Sequence, residues 1–180
     1  MKRSAVSVFR SCVAVAAVLL AATQVQAKDN RAPIVPQEIA VAEDQQVHFH
    51  GYAQGFQIYT WNGSSWGAAV PSATLFDEDG NIVATHFAGP TWRSNSGSEV
   101  VGSLVPPPLR VIVDPDSIPW LLLTAVPELT HGPGIFGNTT FIHRVNTVGG
   151  KAPLEPGAFI GQVAEVPYTA DYFFYRQSNP

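Results

Sequence analysis

Cysteine is almost missing from this 180-residue chain, and the one present, Cys12, lies in an N-terminal apolar run. Once that run is removed, as argued below, no thiol is left to serve as a nucleophile, a zinc ligand or a disulfide partner. Charge is sparse, at 13% of residues, and cations are the scarcer sign, ten Lys and Arg against fourteen Asp and Glu. No basic cluster occurs, which argues against nucleic acid or an anionic lipid surface as a partner. Long helices are excluded because fifteen Pro and fifteen Gly interrupt every candidate. There is no internal repeat and no coiled coil. Ser98, Ser103 and Ser117 lack the Gly-x-Ser-x-Gly elbow of a hydrolase; around Ser98 the chain reads Ser96-Gly97-Ser98-Glu99.

What is there begins with an export signal. Lys2, Arg3 and Arg10 make a positive start, and residues 13–22 are an apolar run of signal-peptide length, too short for a stop-transfer span. Val25-Gln26-Ala27 supplies small residues before a cut, so residues 1–27 are expected to be removed and the mature chain to begin at Lys28. That destination is secreted or periplasmic, with no membrane span left after cleavage. Without Lys2, Arg3 and Arg10, seven cations face fourteen anions, a net charge of −7.

Residues 28–40 read as a loose, proline-punctuated leader, and residues 41–177 as one domain. Short alternating segments with turn signals every eight to twelve residues predict an all-β fold, a single antiparallel β-sandwich or barrel-like domain with little helix. Strands are expected over residues 47–52 and 56–61, with a turn at Asn62-Gly63-Ser64-Ser65 between Trp61 and Trp66. A hairpin joins residues 73–76 to 81–87 through Asp77-Glu78-Asp79-Gly80. Further strands are expected at 100–105, 141–147 and 163–175, with a stiff connector at Pro106-Pro107-Pro108. Residues 120–126 are apolar on both faces; their length and the flanking Pro119 and Pro127 favour a strand over a buried helix.

Three aromatic-rich blocks stand out: His86-Phe87-Ala88-Gly89-Pro90-Thr91-Trp92, Ile118-Pro119-Trp120-Leu121-Leu122-Leu123, and residues 166–175. With Gly55-Phe56-Gln57-Ile58-Tyr59, Ala73-Thr74-Leu75-Phe76-Asp77 and Arg144-Val145-Asn146-Thr147 they resemble the secreted family known as domain of unknown function 3455. The resemblance spans about residues 51–175 and implies no activity. Relatives often carry a cysteine where this chain has Trp61 and another near Gly157 or Ala158. Loss of both together implies a disulfide in relatives, and argues against a family mechanism built on cysteine.

Several residues can carry chemistry. His48 and His50 are two apart, so on a regular strand both rings share a face; with His86 or Asp77 they can form a divalent-metal site, or simply line an exposed strand. His86 followed by Gly89, Pro90, Thr91 and Trp92 can line a ligand pocket, or His86 can lock that corner by bonding its backbone. Asp171 in an apolar strand is either a perturbed acid or a hydrogen-bond acceptor serving structure. Trp61, Trp66, Trp92 and Trp120 can stack a ligand or fill the core, and Trp66, beside a turn, is the ligand-binding candidate outside the His86 block. The expected function is an exported β domain, non-enzymatic, binding a small molecule or an envelope or extracellular partner. The alternative is a metal-dependent or His-assisted enzyme using His48, His50 and His86. No cofactor is established by the sequence beyond that candidate divalent metal.

Overall fold

The computed structural model describes residues 31–105 and 107–178, so the expected signal peptide and the start of the leader lie outside the described residues. Nine strands run in chain order: β1 (Gln45–Thr60), β2 (Val70–Phe76), β3 (Ile82–Phe87), β4 (Thr91–Ser94), β5 (Glu99–Leu104), β6 (Arg110–Val111), β7 (Trp120–Ala125), β8 (Phe141–Gly149) and β9 (Val163–Gln177). All pairings are antiparallel, in the order β5-β4-β3-β2-β1-β9-β8-β7-β6. A further pairing of β5 with β7, through Gly102 and Ala125, closes the sheet into a ring. The fold is therefore an all-β barrel wound as a meander, with β6 appended to the same edge of β7. Closure removes the edge strands that an open sheet would expose.

Local sequence explains much of this. Asp77 turns the β2–β3 hairpin: its Oδ1 accepts from the Asp79 and Asn81 amides at 3.0 and 2.8 Å, and Gly80 adopts φ +81°. Where the sequence predicts two strands in residues 45–61, the structure has one long β1, unbroken by Gly51 and Gly55. Gly55 is there because β2 crosses it closely; a Cβ would lie 2.1 Å from the Ser72 carbonyl oxygen. Along β1, Phe49, Ala53, Gln57 and Tyr59 point inward and are buried, while Tyr52 and Phe56 point out. Residues 120–125 form the expected strand, with Leu122 and Leu123 almost fully buried on opposite faces.

Two clusters hold the barrel. Inside the ring, Phe49, Leu75, Trp92, Val100, Ile142, Tyr172 and Phe174 pack together, and Phe136 from the β7–β8 connection plugs one end. Its ring stands edge-on to Phe49 and 4.7 Å from Phe174. Outside the ring, Val47, Val145, Phe173 and Tyr175 form a second cluster covered by Val35 and Val41. Within the stretch expected as a leader, Ile39 is fully buried in a 3-10 turn, and its carbonyl accepts a 2.6 Å hydrogen bond from His143 Nε2. His143 Nδ1 in turn accepts from the Tyr175 hydroxyl at 2.9 Å. The N-terminal segment is thus tied down by a neutral, buried histidine.

Of the positions at which the family resemblance implies cysteines, Trp61 and Gly157, the latter one of two alternatives with Ala158, meet in space. A Cβ at Gly157 would fall 2.7 Å from Trp61 Cβ and 2.5 Å from its Cγ, so the indole occupies the room a cross-link would take. Disulfides need Cβ atoms about 3.8 Å apart, which a slight outward movement of the β8–β9 connection supplies. The double variant Trp61→Cys with Gly157→Cys should therefore oxidise to an intramolecular disulfide, read by mass spectrometry after alkylation. Recovery of two free thiols under oxidising conditions would contradict the juxtaposition.

Candidate functional site

The barrel end opposite the Phe136 plug opens into a cavity of about 360 Å³. β1, β2, β3, β4, β5, β7, β8 and β9 all contribute to its wall, together with the β3–β4 turn. Its floor is an aromatic stack. Trp92, with no exposed surface, lies face to face with His86, ring centres 4.2 Å apart and planes 6° apart. Tyr172 meets both rings edge-on at 5.1 and 5.2 Å. The stack follows from register: His86 of β3 pairs directly with Trp92 of β4.

The turn between them is fixed by several contacts. Gly89 has φ +136° and precedes Pro90 through a cis peptide bond. A Cβ at Gly89 would lie 2.3 Å from Thr91 Oγ1, which instead donates to the Ala88 carbonyl at 3.0 Å. His86 Nδ1 donates to the Thr91 carbonyl at 2.9 Å. Burial lowers the His86 pKa to about 3, against the opposing pull of that carbonyl and helped by the charge of Arg144. The ring is neutral at physiological pH, with its proton on Nδ1 and Nε2 left as an acceptor.

Arg144 brings the positive charge. On β8 it sits opposite Leu121 and Tyr172, on the inward face it shares with Ile142. Its Nη2 and Nε donate to the Pro119 carbonyl at 2.9 and 3.3 Å. Its field favours the ionised form of Tyr59, Tyr168 and Tyr172, although burial dominates and raises all three pKa values. Among the described residues no carboxylate forms an ion pair with Arg144.

Two residues that line the same space carry a further donor without an acceptor. Trp92 Nε1 and Gln57 Nε2 are buried and unpaired, and both residues line the cavity. The Gln57 amide lies near enough to the Tyr168 hydroxyl to favour its ionised form, yet Nε2 meets no acceptor in hydrogen-bonding geometry. Buried indole and amide N–H groups are rarely left so, because desolvation without a partner costs about 1–3 kcal/mol. Around these polar groups the wall is apolar: Val70, Pro71, Pro90, Leu104, Leu121 and Leu123.

The family model described as Protein of unknown function (DUF3455) matches residues 8–176. The chain belongs to this family. No curated protein and no solved structure matches it. In this DUF3455 member, the His86–Trp92 block and the Arg144–Thr147 block, far apart in sequence, contribute to one cavity.

The remaining candidates are placed elsewhere. A bulge between Val47 and Phe49 breaks the alternation of β1, so His48 and His50 enter different surroundings. His48 Nε2 bonds Thr139 Oγ1 at 3.2 Å, whereas His50 stacks on Phe173 at 3.9 Å and stands 3.7 Å from Asp171. Neither lines the cavity that holds His86. Among the described residues no group of three His, Cys, Asp or Glu is arranged to hold a metal ion. Asp171 accepts from Asn146 Nδ2 at 2.7 Å on the outer surface. Trp66 packs edge-on against Trp61, its Nε1 donates to the Glu155 carbonyl at 3.0 Å, and it lies outside the cavity. Ser98 Oγ receives the Phe136 amide at 3.2 Å, and Ser117 Oγ donates to Asp114 at 2.6 Å, so both serines tie loops. A larger hollow of about 590 Å³ lies at the plugged end, but it is a groove among Thr130, Asn138 and Arg176. No described helix is long and apolar enough to cross a membrane.

Proposed function

We propose that this DUF3455 protein is an exported carrier or sensor that binds a small molecule in the lumen of its barrel and performs no chemistry on it. The observation that carries the reading is the pair of buried, unpaired N–H donors, Trp92 Nε1 and Gln57 Nε2, on two residues that line one cavity. The volume of about 360 Å³ falls in the range of about 300–1,000 Å³ usual for small-molecule sites. Eight-stranded barrels have interiors just large enough for one such ligand. The packed stack of rings beneath the cavity holds its walls in place, which lowers the ordering cost of binding.

The test is native mass spectrometry of the protein purified gently from its own source. An added organic mass is expected on the wild type and lost from Leu104→Trp, whose indole fills the mouth from a half-exposed rim position. A bare polypeptide mass in both proteins would defeat the lumen reading. Export makes a separate prediction: N-terminal sequencing of the mature protein should start at Lys28, and retention of Met1 would refute it.

A further inference from the structure

We infer that the lumen takes an organic carboxylate, a molecule with an apolar body and one anionic head seated against Arg144, Trp92 and Gln57; this rests on the lumen-binding reading above. The head follows from a count of donors and acceptors. Trp92 offers an indole N–H and can accept nothing, and a guanidinium offers only N–H groups. Gln57 adds an amide nitrogen that meets no acceptor. Arg144 carries a full charge into a half-buried lumen where no described carboxylate forms an ion pair with it; its neighbours there are neutral, the Pro119 carbonyl accepting from two of its nitrogens and the Tyr172 hydroxyl standing beside it. A half-buried cation without a counter-charge is costly, and a bound anion removes that cost. A planar carboxylate matches the fork of a guanidinium and is bound through charge-assisted hydrogen bonds.

The body follows from the rim. Leu104, Leu121, Leu123, Val70 and Pro90 leave an inorganic anion with nothing to bury, while an apolar or aromatic group covers them and stacks near the His86–Trp92 floor. His86 itself stays neutral, stacked flat on Trp92, and supplies no charge to the head.

Isothermal titration with three probes decides the matter: 2-naphthoate, its neutral counterpart 2-naphthylmethanol, and acetate. Naphthoate should bind at least tenfold more tightly than the alcohol, and acetate should not bind. Arg144→Met should erase the preference for naphthoate over the alcohol, and Arg144→Lys should retain part of it. Since Arg144 also anchors Pro119, circular dichroism must show each variant folded. Should Arg144→Met fail that check, Trp92→Phe keeps a ring and removes the donor, and should weaken naphthoate by a larger factor than the alcohol, because a charged acceptor loses more with the N–H than a neutral one does; equal weakening of the two would overturn the carboxylate. Equal binding of naphthoate and alcohol, abolished by Leu104→Trp, would overturn the carboxylate and leave the lumen reading standing. No binding of any probe would overturn the carboxylate, and the lumen reading would then be decided by the native mass measurement alone.

Discussion

Lowering the pH from 7 to 5 should remove about 4 kcal/mol of folding stability. Burial depresses two histidines in the folded protein, His86 to about 3 and His48 to about 4, from the ordinary 6.5. Arg176 adds to the effect at His48. An unfolded chain takes up these protons as the pH falls through 6.5, while the folded protein cannot until much lower. The stability from burying neutral rings is therefore complete above pH 6.5 and lost as the pH drops towards the folded values. At pH 5 the unfolded state has gained about 1.5 pH units on each ring, roughly 2 kcal/mol apiece at 1.36 kcal/mol per unit. His143, also lowered by burial, acts in the same direction. Asp114 is depressed from 3.8 and changes only at lower pH. Urea unfolding at pH 7, 6 and 5 measures the loss, and His48→Gln should reduce its slope. A stability independent of pH over this window would mean that water reaches these rings.

Replacing Trp92 by alanine should cost about 3–5 kcal/mol, as deletion of a large buried aromatic generally does. The indole has no exposed surface and touches His86, Tyr172 and Phe174. Its loss would merge the packed interior with the cavity above and leave the His86 ring without its stacking partner. Trp92→Phe should cost markedly less, because it retains a ring and sacrifices an N–H that has no partner within the protein. Denaturant midpoints for the two variants give the comparison. Equal losses would show that packing around Trp92 does not carry the stability assigned to it.

Much of the fold was legible because its signals are local. Asp77 and Gly80 specify their hairpin whatever surrounds them, and Pro119 and Pro127 bound a segment too short for a helix. Two features escaped local reading. Gly55 falls in the gap between the strands expected at 47–52 and 56–61, but the barrel uses it for close approach to Ser72, a contact made only when β2 folds back. The bulge beside His48 likewise depends on pairing with β9, so the shared face expected for His48 and His50 does not form. At the site, the His86–Trp92 block was visible as a rigid corner carrying a titratable ring. Arg144 and Gln57 stand out in the sequence only as parts of family-like motifs. The signal that could have found them is parity: Arg144 shares a face with Ile142, and Gln57 with Tyr59, each a polar group on a side otherwise given to the core.

The pairing of β1 with β9 has a temporal consequence. These strands align from Gln45 with Gln177 to Thr60 with Val163, so among the described residues the strand made first during synthesis waits for the one made last. Until β9 emerges, β1 and β8 each present an unmatched row of backbone donors and acceptors, the kind of template that recruits other chains. Long-range pairing of this sort also slows folding. A ribosome stalled before residue 163 would hold a ribbon with two sticky margins, and even a short deletion from the C-terminal strand should yield aggregates in place of a smaller barrel.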